Sequence, residues 1–448
     1  MSNIVIILHG WSDDYKSFIP LGQWLGNNGV QVLDIHLGNY LSMNDELTLF
    51  DLGFAFVRAL NVKKIPQSPK SFDVIVHSTG GLVIREYLRQ VCNGNPANSP
   101  VHHLLMMSPA NFGSPLAAMG KSVLGRLIKG WGWNHLWQTG QRILNALELA
   151  SPYSWVLAEA DLFNPRFNIF DPSNVIVTVL AGTAAYDNAL LRTAHENGSD
   201  GTVRVSTANL NAHLLRLSFQ DPERPVLDIV PRNCPPLAFA VFDRDHTAIH
   251  DPTDPRQAED WKAIVLRSLS LDGADYAKHT NDCAKLSAVT FAAGLNSANP
   301  ERYHQYQHFA FRVRDQFGQP VSDYVVEFYQ EKNDDQDRVF ETINGEILEK
   351  VTTNTTDGSY RSFLFDTDDL IAYLQNTVAE VDMSLTAANI SERVGYQNPS
   401  KGIGIFSAGN RQYIFPNEPV LVDVILNRNS GPEVFQLLPV NETTAKSE

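Results

Sequence analysis

Three cysteines in 448 residues, Cys92, Cys234 and Cys283, are too few and too scattered for a disulfide framework or a CxxC zinc site. They read as buried thiols. Long apolar runs are also missing: no stretch approaches the roughly 18 residues of a membrane-spanning helix, so the chain reads as soluble or surface-bound. Positive charge is scarce. Thirty-five Lys and Arg face 50 Asp and Glu, a formal net charge of -15. That balance excludes a phosphate-neutralising grip on nucleic acid and a polybasic grip on anionic lipid. Any membrane contact must then be mainly apolar. The opening MSNIVIILHG lacks a basic n-region and a small-residue cleavage site, and is expected to be a first core strand rather than a signal peptide. Internal repeats and long low-complexity tracts are absent.

What is present is the composition of a folded protein, 43% hydrophobic and 19% charged, at a length that suggests two domains or three. In the first 110 residues, apolar runs at 4–8, 30–35, 72–77 and 102–108 alternate with helical spacings. Leu47, Phe50, Phe54 and Val57 form one such set, and Ile84, Tyr87, Leu88 and Val91 another. Runs without alternation are buried on both faces, as parallel strands are, so the pattern predicts an open α/β sheet. From Phe112 to about Asn168 the strand signal stops, and four of the seven tryptophans, Trp131, Trp133, Trp137 and Trp155, fall in this expected cap. Sheet signal resumes at 175–182, 213–219 and 237–242. Asp254 and Pro255 then suit the start of a helix carrying Trp261, Ile264, Val265 and Leu269 on one face. The expected organisation is an open α/β domain over 1–272, a connection over 273–300 and a mainly antiparallel, sandwich-like β domain over 301–448. That last domain starts with period-2 runs at 309–315 and 324–330. Helical patches near 367–378 and 384–392 interrupt it.

The stretch DVIVHSTGGLVIREYL, residues 73–88, places Ser78 on the seam between a buried run and an amphipathic helix. A serine nucleophile needs such a sharp turn to lift its oxygen above the sheet edge, and nearby glycines relieve the crowding. The G-x-S-x-G pattern is incomplete, since Val76 stands at its first glycine. The competing reading is that Ser78 only caps the helix. In this fold order, an acid and then a histidine should follow the serine. His246, just past the run at 237–242 in DRDHTAIH, has the best position, with His250 as competitor. The spacing of these two also allows a metal pair, but no third ligand is placed. His9 and His77 precede the serine and suit loop hydrogen bonds. Asp200 in SDGTVRVS is favoured as the acid over Asp187, because the following Gly and Val can anchor its turn. The alternative for Asp200 is a solvated Asp-Gly turn. Backbone N–H groups of Thr79 and Trp11 are the expected oxyanion donors, although Trp11 equally suits a wall of the acyl pocket.

HGWS near the N-terminus, VHSTGGLVIREYL, SDGTVRVSTANLN, DRDHTAIH and FRVRDQFGQPVSDYVVEFYQ together resemble the PlaB family of bacterial phospholipases A and lysophospholipases. The resemblance implies an α/β-hydrolase joined to a C-terminal β domain, with Ser78, Asp200 and His246 as its triad. It also implies phospholipid and lysophospholipid substrates, peripheral attachment to a membrane surface, homo-oligomers and no cofactor. A cytoplasmic location is the alternative. Bacterial true lipases often carry a calcium-binding Asp two residues after the catalytic His; here that position is Ala248. Two rival readings remain: an esterase or thioesterase acting on soluble acyl substrates, and a surface-binding protein with a vestigial hydrolase domain. Lipid contact is expected from the cap. Leu116, Met119, Val123, Leu127 and Trp131 share a helical face there that is expected to pack mostly on the core, and at least one of Trp131, Trp133 and Trp137 is expected to be exposed enough to insert into lipid. The apolar tail at 433–440 is expected to dock on another surface.

Overall fold

A computed structural model describes residues 4–8, 15–35, 46–117, 140–186, 196–330, 336–376, 380–391, 393–399, 401–407 and 413–430. His9, Gly10, Trp11, Met119, Val123, Leu127, Trp131, Trp133, Trp137, Asp187 and the tail at 433–440 lie outside the described residues.

Six strands form a parallel sheet: β1 (Ile4–Leu8), β2 (Val32–Ile35), β3 (Phe72–His77), β4 (Val101–Met107), β5 (Ile176–Gly182) and β8 (Ala238–Phe242), in the order β2-β1-β3-β4-β5-β8. β6 (His213–Phe219) and β7 (Val226–Val230) go elsewhere. Every residue of β3 and β5 is buried, which is why their sequences show no alternation. The helices near this sheet are α1 (Ile19–Asn27), α2 (Leu49–Val62), α3 (Gly80–Cys92), α4 (Gln141–Leu147), α5 (Pro152–Asp161), α6 (Ala258–Ser268) and α7 (Tyr276–Gly294). In α2 the buried side is Leu49, Leu52, Phe56 and Leu60, while Phe50 and Phe54 are 44% and 54% exposed. The predicted face was therefore rotated: the two exposed phenylalanines contact each other edge to face at 4.9 Å instead of entering the core. Leu116, the described member of the predicted cap face, is buried.

The edge strand β8 would leave unpaired backbone groups. Helix α7, drawn from the expected connection, covers them with side chains. The Val241 N–H donates to Ser287 Oγ at 2.9 Å, Thr290 Oγ1 donates to the Val241 carbonyl at 2.8 Å, and the Ala238 N–H donates to Tyr276 Oη at 3.0 Å.

The second sheet is built from β9 (Tyr306–Asp315), β11 (Leu348–Thr353), β12 (Tyr360–Asp366), β14 (Val394–Gln397) and β16 (Pro419–Ser430), together with β6 and β7. β16 runs between β9 and β6, parallel to both. The strand at 213–219 thus forms where the sequence predicts it, but in the other sheet. Its inward Leu215, Leu217 and Phe219 belong to the C-terminal core, and its length matches β16 from Val420 to Leu426. A three-stranded sheet, β10 (Tyr324–Tyr329), β13 (Glu380–Ala387) and β15 (Ile403–Ser407), packs against it. Phe365 meets Phe328 at 5.0 Å and Phe406 at 5.5 Å between the two sheets. The expected helix over 367–378 is present as α8 (Thr367–Asn376). The one expected near 384–392 does not form: residues 384–387 end β13, where Val381, Met383, Leu385 and Ala387 bury themselves at period two, and 388–391 are irregular.

Candidate active site

Ser78 occupies the turn between β3 and α3 with φ at +53°, a left-handed conformation that costs a non-glycine residue about 1–3 kcal/mol. Two backbone bonds hold it there: its N–H donates to the Met107 carbonyl at 3.2 Å, and the Ala110 N–H donates to its carbonyl at 3.1 Å. The glycines that follow are required by close approach. A Cβ on Gly80 would lie 2.8 Å from the Leu8 carbonyl oxygen and 3.3 Å from Val76 Cβ, and one on Gly81 would lie 2.6 Å from Pro109 Cβ. Val76 thus takes the room that a glycine before the serine would leave, and Gly80 yields in return. Thr79 is buried at the N-cap of α3, where helix N–H groups point outward.

Asp200 and His246 are brought together. His246 Nδ1 lies 2.8 Å from Asp200 Oδ2, with both side chains nearly fully buried, and the His246 N–H donates to the Asp200 carbonyl at 3.0 Å. The other carboxylate oxygen, Oδ1, accepts from the N–H groups of Thr202 at 2.9 Å and Val203 at 2.7 Å. The Gly-Thr-Val following the acid therefore anchors its turn, as the sequence suggests. With Nδ1–H directed at the carboxylate, Nε2 is the basic nitrogen of the imidazole. His250 does not share the acid; it stacks on Phe18 at 4.1 Å. His77, next to Ser78 in the chain, donates from Nε2 to the His246 carbonyl at 2.9 Å and so ties the histidine loop to the serine turn.

Two buried arginines that sequence reasoning missed shape these loops. Arg244 is fully buried and donates to the carbonyls of Ala248 (3.1 Å), Asp251 (2.8 Å), Asp254 (3.1 Å) and Arg256 (2.9 Å), with its guanidinium over the Trp261 ring at 4.8 Å. Burial pushes its pKa down to about 10. Because these carbonyls turn inward to Arg244, Asp254 does not cap a helix; it pairs with Arg256 at 2.7 Å, and α6 starts at Ala258 after a left-handed Gln257. Arg204 is buried beside the acid turn and bonds Glu196 at 2.8 Å. Burial alone would raise the Glu196 carboxyl, but the charge and hydrogen bond of Arg204 hold it below its ordinary range. The only sequence signal for either arginine was its place between acids and buried runs, in DRDH and in TVRVS.

The acid turn also leans on the second sheet. Gly198 has φ at +66°, and a Cβ there would lie 2.1 Å from Tyr306 Cδ2 on β9. The Gly198 N–H donates to the Arg302 carbonyl at 3.3 Å, and Arg204 Nη1 reaches Ser362 Oγ on β12 at 3.4 Å. Gly198→Ala is therefore expected to lower stability by about 1–3 kcal/mol and to lower turnover by shifting Asp200. Thermal unfolding and kinetics on one preparation check it; wild-type values for both would contradict this account of the loop.

Among the described residues, two groups could geometrically hold a metal ion, Asp73 with His102 and His103, and His304 with Asp366 and Asp368. Neither includes His246 or His250. In the first, His103 is already bonded through Nδ1 to Asp73 at 2.8 Å and through Nε2 to the Leu271 carbonyl at 2.8 Å.

A parallel sheet with helices on both faces, a strained serine at a strand–helix turn, and a buried Asp–His pair at the carboxyl end of that sheet define an α/β-hydrolase. Solved structures extend this to the whole chain. Phospholipase PlaB from Legionella pneumophila is 25% identical, over 98% of this chain and 96% of that one, with a TM-score of 0.82. The same phospholipase in complex with thio-NAD is 24% identical over 98% and 97%, also with a TM-score of 0.82. Over nearly its whole length this chain is thus similar in structure to phospholipase PlaB. No family model and no curated protein sequence matches it.

Proposed function

We propose that this protein is an ester hydrolase that releases fatty acids from phospholipids and lysophospholipids through an acyl-enzyme. The observation that carries the reading is the buried Asp200–His246 pair tied by His77 to the strained Ser78 turn. The phospholipid substrate is supported by the full-length likeness to phospholipase PlaB.

In this reading His246 Nε2 takes the Ser78 hydroxyl proton as the oxygen attacks the acyl carbonyl. Asp200 holds the Nδ1–H tautomer and stabilises the imidazolium that forms. The oxyanion is received by the Thr79 N–H at the head of α3 and by Trp11 from the loop after β1. His246 then returns the proton to the leaving glycerol oxygen. The acyl-enzyme is hydrolysed by water activated in the same way. A membrane surface is the proposed meeting place, reached by apolar contact because the net charge of -15 offers little attraction to anionic lipid. Insertion of Trp131, Trp133 or Trp137, and self-association into oligomers, are parts of the same proposal. No helix among the described residues is long and apolar enough to cross a membrane.

The test is incubation with defined phospholipid and lysophospholipid vesicles and micelles, following fatty-acid release, beside a short soluble ester. Release from the lipids is expected at rates well above those on the monomeric ester. Hydrolysis of the soluble ester alone would replace this reading with an esterase. Lipid binding is expected to survive high salt, which screens charge but not apolar burial.

A further inference from the structure

We propose that a groove on the outer edge of the first sheet, apart from Ser78, binds a single-chain amphiphile with an anionic oxyacid head. The ligand intended is the fatty acid that the proposed reaction releases, so its source rests on that reading. The groove is a cavity of about 650 Å³ between β8 and α7 on one side and the loop before β16 on the other. β8 stands three strands from β3 in the sheet order, roughly 14 Å away at about 4.8 Å per strand.

Its walls are apolar where a hydrocarbon chain would lie. Leu237, just before β8, and Phe239 and Val241 of β8 line it together with Ala284, Ala288 and Ala292 of α7, which recur every fourth position and are exposed. Their short side chains keep this face of α7 low, so a trough remains between it and the loop before β16. From Thr280 to Leu295, both at its lining, the trough follows the helix for about 22 Å at roughly 1.5 Å per residue, a length that suits a fatty-acyl chain.

One end carries a cation. Arg232 lines the groove near the start of α7, where its charge also acts on Tyr276. Among the described residues it meets no carboxylate within ion-pair distance, and its one hydrogen bond runs from Nη1 to Asn211 Oδ1 at 2.6 Å. Asn211 is itself fixed, accepting from the Leu237 N–H and donating to the Leu237 carbonyl, each at 2.9 Å. The acid lining the opposite wall, Glu418, is engaged by His213 Nε2 at 2.5 Å. Arg232 thus keeps most of its five donors for an incoming carboxylate or phosphate. A soluble anion would use only this end, whereas a single acyl chain with an acidic head fills both parts.

The test uses the full chain with its active-site serine blocked by a fluorophosphonate, so that binding in the acyl pocket does not contribute. Displacement of a dansyl fatty acid is measured with palmitic acid, lysophosphatidic acid and the matched alcohol. One site per chain is expected. Ala288→Trp, which fills the trough, should weaken palmitic acid at least tenfold. Arg232→Gln should weaken it about tenfold and leave the alcohol within twofold. Equal displacement by the lysolipid would assign phosphate as an accepted head, and displacement by palmitic acid alone would assign carboxylate; both fit the proposal. Absence of binding, or binding unchanged in both variants, overturns it. Ester hydrolysis by the unblocked variants is read in parallel. Intact hydrolysis with no groove binding rejects the groove alone, and groove binding without any hydrolysis rejects the catalytic reading alone.

Discussion

Replacing Ser78 by Ala is expected to abolish fluorophosphonate labelling and to lower turnover by a factor on the order of 10⁶, with the fold intact. The loss follows from removing the attacking oxygen, after which only binding and oxyanion contacts can accelerate water attack. Stability should change little. Ala meets the same left-handed strain that Ser78 bears at φ +53°, and the bonds holding the turn run through the backbone N–H and carbonyl of residue 78. Labelling by mass spectrometry, turnover on a short ester and thermal unfolding separate the two effects. An active, well-folded Ser78→Ala protein would remove the proposed mechanism altogether.

Asp200→Asn is expected to cost about 10⁴-fold in turnover with little change in unfolding temperature. An Asn side chain can keep its carbonyl oxygen on the Thr202 and Val203 N–H groups, where Oδ1 now accepts two bonds. Its NH₂ then faces His246 Nδ1 as a donor, which favours the tautomer with the proton on Nε2. That ring cannot take a proton from Ser78. Asp187→Asn, by comparison, should stay within a few-fold of wild type. A dead Asp187→Asn protein beside an active Asp200→Asn would reverse the assignment of the acid. The two variants are read by turnover on the same soluble ester.

The parts of the site that follow from local chain geometry were legible in the sequence. A continuous buried run ending at His77 and two glycines after Ser78 announce a strand–helix turn, and the DGTV turn carries its own backbone anchors for Asp200. What was not legible depends on distant partners. Nothing local tells that HLLRLSF will pair with residues two hundred positions later rather than with the strand run before it, because a mostly apolar strand run looks alike in one sequence whichever sheet receives it. Arg244 and Arg204 read as surface charges until the carbonyls and the Glu196 that surround them are assembled. Phe50 and Phe54 fit a helical face by spacing, yet the opposite stripe of α2 supplies enough Leu and Phe to fill the core. At 384–392 a helix-like composition gave way to alternation, since Val381, Met383, Leu385 and Ala387 had a sheet to pack against.

The seating of β6 beside β16 sets a schedule for the newly made protein. β6 starts at His213 and lies directly after the Asp200 turn, while its parallel partner ends at Ser430. Tyr306, which packs on Gly198 of the same turn, also comes late in the chain. At about 5–20 residues per second, a ribosome needs roughly 10 to 40 s to travel from one strand's start to the other's end. During that interval Ser78 and its turn can already be in place, but the acid turn lacks the wall it rests on. Completion of the surroundings of Asp200 therefore waits for the residues up to Ser430 to emerge, and a product ended before them would be a hydrolase fold without a settled Asp200 turn.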